Sequence, residues 1–227
     1  MIEISVVIPC FNEAANIAQC ISKAFKSFEI LGVSGEVVVV DNNSTDSSVD
    51  VAKKSGARVV SCEQIGYGYA LRKGIECALG KFIIIGDGDD SYDFLEIPSF
   101  YNNMQGIDMV TGTRLKGVIH KGAMPFLHRY LGTPVLTLVL NLLYKTKISD
   151  SQCGMRMFRK ECADKINFRT GGMEFASELF VEFAKHNFSI KEIPIHLYAV
   201  DGRKSKLNPI RDGLRHLFYL ISALHRT

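Results

Sequence analysis

Short runs of aliphatic and β-branched residues recur along the first ninety positions. Between them lie segments whose apolar residues return every three or four places. Residues 2–9, IEISVVIP, predict a strand. Over 13–31 the positions Ile17, Ile21, Ala24, Phe25 and Phe28 share one helical face. EVVVVD at 36–41 carries four consecutive valines, the pattern of a strand covered on both sides. Residues 44–56 open on helix-starting residues and close on Gly56, which predicts a helix. ARVVSC at 57–62 and KFIIIGD at 81–87 predict two more strands, with a helix after Gly66 and Gly68 between them. Strands alternating with helices imply an α/β fold with a parallel sheet and right-handed crossovers. Such sheets bind ligands beyond the carboxyl ends of their strands. Acids stand at three of those ends: Glu13, Asp41, and the pair Asp87 and Asp89.

From about residue 105 the alternation loosens. GIDMVTGTRL predicts a strand ending near Arg114, and 120–146 a loop followed by a long helix with an apolar face. A loop, short strand and helix are predicted over 149–166, a helix over 171–187 and a strand over 188–200. DGRKSKLNP at 201–209 is a basic loop. The last segment, 210–227, is a basic amphipathic helix with Leu214, Leu217, Phe218, Ile221 and Leu224 at helical spacing.

Composition narrows the class. The 227 residues are 47% hydrophobic and 22% charged, as in one ordinary globular domain. A net charge of +3 is too mild to argue for a nucleic-acid partner. The six cysteines show neither C-x-x-C nor zinc spacing and read as reduced thiols of a cytoplasmic protein. The N-terminus lacks a basic leader, and Pro9 interrupts its apolar run, so it reads as a strand rather than a signal peptide. No stretch reaches the roughly 18 apolar residues a membrane span needs.

Candidate chemistry concentrates in FIIIGDGDDSYD at 82–93, where a buried-type strand runs into Asp87, Asp89, Asp90 and Asp93. Uncompensated carboxylates at such spacing repel one another unless a cation sits among them. An Asp-x-Asp pair at a strand end can hold a hard divalent cation through oxygen, and Mg²⁺ or Mn²⁺ keep positions open for phosphate. Other residues have plainer readings. Ser44 and Asp46 are helix caps, and Asp41 is either a cap or a ligand contact. Gly66 and Gly68 start a helix, because no Gly-Lys-Ser/Thr ending follows to make a phosphate loop. The six histidines show no metal spacing. Glu174 and Glu178 share a helix face, as exposed charges or with one of them lining a site.

VVIPCFNEAANI, VVVVDNNSTDSS, GYGYALRKGIECALGKFIIIGDGDD and GTR resemble, in order and spacing, the family 2 glycosyltransferases of the GT-A fold. SDSQCGMRMFRKE and GMEFASELFVEFAKHNFSIKEIPIHL resemble the polyprenol-phosphate sugar synthases, such as the dolichol-phosphate mannose or glucose synthases. The resemblance implies a nucleotide-sugar-binding fold with a mixed, mostly parallel central sheet flanked by helices. It implies a metal-dependent inverting enzyme that moves a sugar from a UDP- or GDP-sugar to a polyprenyl or dolichyl phosphate. The cofactor would be Mg²⁺ or Mn²⁺ and the location the cytoplasmic face of a membrane; the alternative acceptor is a saccharide hydroxyl.

By the same resemblance Pro9, Phe11 and Glu13 line the base and ribose, and Asp41 contacts one of them. Asp87 and Asp89 hold the metal. Ser91 stands where some members carry a glutamine ligand, which makes Asp90 a candidate third ligand. Arg114, Arg129, Arg203 and Lys206 fall near donor or acceptor phosphates. Asp89, Arg114, Arg129 and Glu178 form the expected catalytic set; apart from the resemblance, Glu174 or Glu178 is the candidate base if one is needed. Residues 1–210 are expected to form the catalytic domain and 211–227 a basic amphipathic C-terminal helix, lying on the membrane surface or packed on the domain.

Overall fold

The computed structural model describes residues 1–200 and 209–225. The first half folds as the alternation predicts, into β1 (Ile4–Cys10), α1 (Ile17–Leu31), β2 (Gly35–Asp41), α2 (Ser48–Lys54), β3 (Arg58–Ser61), α3 (Tyr67–Cys77) and β4 (Phe82–Ile85). β1 pairs in parallel with β2 and β4, and β2 with β3. The valines Val37, Val38, Val39 and Val40 are all buried, alternately facing the two sides of the sheet. Pro9 lies beyond the last β1–β4 pair, Val7 with Ile85, so its missing N–H interrupts no bond to β4.

The second half contains α4 (Ile97–Asn102), β5 (Met109–Ile119), a π-helical turn His128–Gly132, α5 (Thr133–Tyr144), β6 (Arg156–Arg159), α6 (Lys160–Ala163), α7 (Phe175–Lys185), β7 (Ile190–Leu197) and α8 (Pro209–Ser222). The seven strands run in the order β3-β2-β1-β4-β6-β5-β7. β6 lies antiparallel between β4 and β5, while β5 and β7 are parallel. The sheet is therefore mixed and mostly parallel. α4 has no counterpart among the sequence predictions. Asp93 caps the 3₁₀ turn before it by accepting from Leu95 N at 3.1 Å, and Phe94, Ile97 and Phe100 of this region are fully buried.

Two cores flank the sheet. One joins Val6 and Ile8 to Ile17, Ile21 and Phe100. The other joins Val7 to Leu71, Leu179, Phe180, Leu220 and Ala223. α8 belongs to this second core and lies against α5 and α7. The C-terminal segment thus contributes Tyr219, Leu220 and Ala223 to the domain's interior. All six cysteines are free thiols. Among the described residues no helix is long and apolar enough to cross a membrane.

Candidate active site

Parallel pairing brings the ends of three strands together: Cys10 lies opposite Asp41, and Asp41 opposite Ser61. Side chains fasten the loops beyond. Asn12 adopts φ +57°, and its Oδ1 accepts from Thr45 N at 2.8 Å and Asp46 N at 3.3 Å. Glu13 N donates to Ser48 Oγ at 2.8 Å, and Ala14 N to Asp46 Oδ2 at 3.2 Å. Pro9, Phe11, Glu13 and Asp41 are gathered at this one edge, and Phe11 is 44% exposed. Asp41 also serves its own turn, where Oδ1 accepts from Ser44 N at 3.1 Å. Asn42 is a residue the sequence reading missed. It is buried, donates to Gln64 O at 2.8 Å and accepts from Gly66 N at 2.7 Å, so it ties the end of β2 to the start of α3. Its signal was the Asx-rich DNNSTD run, which reads as capping alone.

The four aspartates after β4 do not form one site. Asp90, at φ +63°, accepts from Lys23 Nζ at 2.8 and 3.1 Å, and Asp93 lies 3.5 Å from the same ammonium. Asp90 is thus committed to Lys23, which corrects the expectation of a third metal ligand. Asp89 is 4% exposed, and its Oδ1 accepts from Ser91 N at 3.0 Å and Ser91 Oγ at 2.6 Å. Ser91, in the place of the expected glutamine, therefore fixes the Asp89 carboxylate through both its N–H and its hydroxyl. Asp87 Oδ1 accepts from Tyr67 Oη at 3.1 Å, and Oδ2 faces Gly154, where a Cβ would come within 3.0 Å. Two carboxylates two residues apart, each with one oxygen held by a protein hydroxyl, suit a hard cation that completes its shell with phosphate and water. No group of three or more His, Cys, Asp or Glu among the described residues forms a closed cage for a metal.

Burial and the adjacent Asp87 carboxylate push the Tyr67 phenol well above its ordinary range, so it is an O–H donor. Gly154 N donates to Tyr92 Oη at 2.9 Å. Arg156, 1% exposed, donates to Cys153 O, Ser151 O and Ala176 O at 2.7–2.9 Å and lies over the Phe180 ring. Burial lowers its pKa, but those three carbonyls hold its cation in place under the site.

Two expected catalytic residues have other employment. Arg114 is no surface arginine: its Nε and Nη2 bond the two oxygens of fully buried Asp150 at 2.7 and 2.8 Å. Burial works to raise Asp150, but the charge and hydrogen bonds of Arg114 outweigh it and hold the carboxyl below its usual range. The Nε–Nη2 edge of its guanidinium is taken by this partner. Glu178, 1% exposed, accepts from Arg169 N at 2.7 Å, Thr170 N at 2.9 Å and the Thr170 hydroxyl. It anchors a loop, which corrects its assignment as a base. Arg129 is exposed in the π-helical turn, 5.3 Å from the Tyr130 ring. Arg203 and Lys206 lie outside the described residues. Glu174 Oε2 is buried with no hydrogen-bond partner.

Strand-end carboxylates beside three βα loops, in a mixed sheet of this order, fit the GT-A fold that the sequence resemblance implies. The chain belongs to glycosyl transferase family 2, whose model matches residues 5–166. It is 40% identical to the low-salt glycan biosynthesis hexosyltransferase of Haloferax volcanii over 97% of this chain, which spans 54% of that relative's length. It is 30% identical to a dolichyl-phosphate hexose transferase of the same organism, over 93% of this chain and 89% of the relative. Among solved structures it resembles glucosyl-3-phosphoglycerate synthase from Mycobacterium tuberculosis in complex with Mn²⁺, UDP and glucosyl-3-phosphoglycerate. That likeness has a TM-score of 0.76 at 22% identity, over 98% of this chain and 79% of the other.

Proposed function

We propose that this chain transfers a hexose, with inversion, from a UDP- or GDP-sugar to a polyprenyl phosphate at a membrane surface, with Mg²⁺ or Mn²⁺ held by Asp87 and Asp89. One observation carries the choice of acceptor. The π-helical turn and α5 expose Leu131, Val135, Leu138 and Leu142 along one helical face, next to the exposed cation of Arg129. A prenyl chain can follow such a face while Arg129 positions its phosphate. The relative named dolichyl-phosphate hexose transferase supports the same reading.

The chemistry asked of the chain is modest. Pro9, Phe11, Glu13 and Asp41 hold the nucleoside. Negative charge grows on the departing diphosphate; Asp87 and Asp89 would hold a Mg²⁺ or Mn²⁺ whose charge would offset it, and the buried Arg156 would add positive charge nearby. A lipid phosphate is already an anion at pH 7, so attack needs no general base. That agrees with Glu178 being fully occupied in the structure. Arg203 and Lys206 supply further positive charge for either phosphate.

The test is a panel of UDP- and GDP-hexoses with Mn²⁺ or Mg²⁺, assayed on a short polyprenyl phosphate and on the matching free polyprenol. Transfer to the phosphate alone is expected. Equal use of the alcohol would overturn the lipid-phosphate reading and favour a hydroxyl acceptor such as a saccharide.

A further inference from the structure

We propose that Tyr67 is a positioning residue for the Asp87 carboxylate, setting its rotation for cation binding; this rests on the metal reading above. Tyr67 is the first residue of α3, and its backbone is delivered from a fixed base. The preceding Gly66 has φ +152°, and a Cβ there would lie 2.2 Å from Gly171 O, so only glycine lets the helix start so close to that loop. Asn42 Oδ1 accepts from Gly66 N at 2.7 Å, and Gly68 N donates to Gly171 O at 3.0 Å. Glu178 holds the same loop from behind through Arg169 N and Thr170 N.

From that base the phenol reaches Asp87 Oδ1 at 3.1 Å. The opposite side of the carboxylate is walled by Gly154, whose hypothetical Cβ falls 3.0 Å from Oδ2 and whose N–H is held by Tyr92. Asp87 is therefore set between a hydroxyl donor and a backbone wall. An unconstrained carboxylate must give up rotational freedom when it takes a cation; this one has already done so. Groups that orient a metal ligand in this way contribute about 10- to 100-fold in metal affinity.

The experiment measures Mn²⁺ binding to the purified chain in the presence of UDP, by electron paramagnetic resonance, for the unmodified protein, Tyr67→Phe, Gly154→Ala and Asp87→Asn. Phenylalanine keeps the ring and removes the hydroxyl. Tyr67→Phe is expected to raise the Mn²⁺ dissociation constant about 10-fold or more, with the thermal midpoint little changed and kcat restored by excess Mn²⁺. Gly154→Ala crowds Oδ2 from the other side with Tyr67 intact, and should weaken Mn²⁺ in the same way. Asp87→Asn should lose both binding and rescue. If Tyr67→Phe binds Mn²⁺ within twofold of the unmodified chain while Asp87→Asn does not bind, the positioning role is overturned and the metal site stands. If the unmodified chain binds no Mn²⁺ with UDP, the metal reading falls and this proposal with it.

Discussion

Asp89 illustrates how a single residue is committed to a role. Its carboxylate is almost fully buried, and one oxygen accepts two bonds from Ser91. Asp90, by contrast, is paired with the Lys23 ammonium. Asp89→Asn should leave the unfolding midpoint within a few degrees and remove several kcal/mol of transition-state stabilisation, about 1,000-fold or more in kcat. Turnover near normal with an unchanged Mn²⁺ response would refute the assignment. The Arg114–Asp150 pair makes the opposite prediction. Removing one partner of a buried ion pair strands the other charge, so Asp150→Asn should cost about 3–5 kcal/mol of stability. A double-mutant cycle in urea with Arg114→Met should show strong coupling, and additive losses would refute the pairing. At this scale the sequence singles out Asp87 and Asp89 as candidates, because a strand end marks them. It hid the fates of Asp90, Arg114 and Glu178. Lys23 and Asp150 stand 67 and 36 positions from the residues they pair with. Two of the three bonds to Glu178 come from backbone N–H groups, which leave no trace in residue identity.

Elements were legible where each follows its own periodicity. β1 to β4 and the helices between them repeat one strand–helix unit, and the valine run of β2 announced its burial. The insertion of β6 against the grain of the sheet was not readable from its four residues, RMFR, because pairing partners rather than pattern decide strand direction. α8 shows the same limit: its sequence reads as amphipathic, yet both its sides carry apolar residues. The inner side places His216 against α7, with Ser177 Oγ 2.8 Å from Nδ1. Burial is the largest influence on this imidazole; Glu174 and Asp212 oppose it and Arg156 adds to it, and the pKa falls to about 4. In the unfolded chain the same group titrates near 6.5. Between those values the unfolded state binds the additional proton. Stability is therefore fully present above about pH 6.5, declines as pH falls toward 4, and loses about 3 kcal/mol from this group. Urea midpoints at pH 7.5 and 4.5 should show the loss in the unmodified chain and a smaller one in His216→Leu. An equal decline in both would assign the pH sensitivity elsewhere.

For the molecule as a whole, the outer face of α8 sets the final test. Leu214, Phe218, Ile221 and Leu224 are exposed at helical spacing, Phe218 by 73%, and α8 touches both α5 and the π-helical turn that carry their own exposed leucines. Exposed cations stand on or beside these elements at Arg129, Lys145, Lys147, Arg211 and Arg215. Apolar side chains flanked by cations suit the surface of an anionic bilayer, where the former enter the acyl boundary and the latter meet the headgroups. The inner face of α8 is core, so deleting the helix would strip Tyr219 and Leu220 from the interior and confuse unfolding with loss of binding. Single changes on the outer face avoid that. Phe218→Gln and Leu138→Gln replace exposed residues and should barely move the unfolding midpoint. If those side chains enter lipid, each removes about 1.5 kcal/mol or more of transfer free energy, roughly tenfold in partitioning. Sedimentation with phosphatidylglycerol vesicles should fall by that order for either variant and further for the pair. Raising salt from 0.1 to 0.5 M should weaken binding of the unmodified chain, because the Debye length shrinks. Unchanged sedimentation of the double variant would refute the membrane face. A concentration-dependent dimer in gel filtration that the same two substitutions abolish would assign the surface to a second copy of the chain instead.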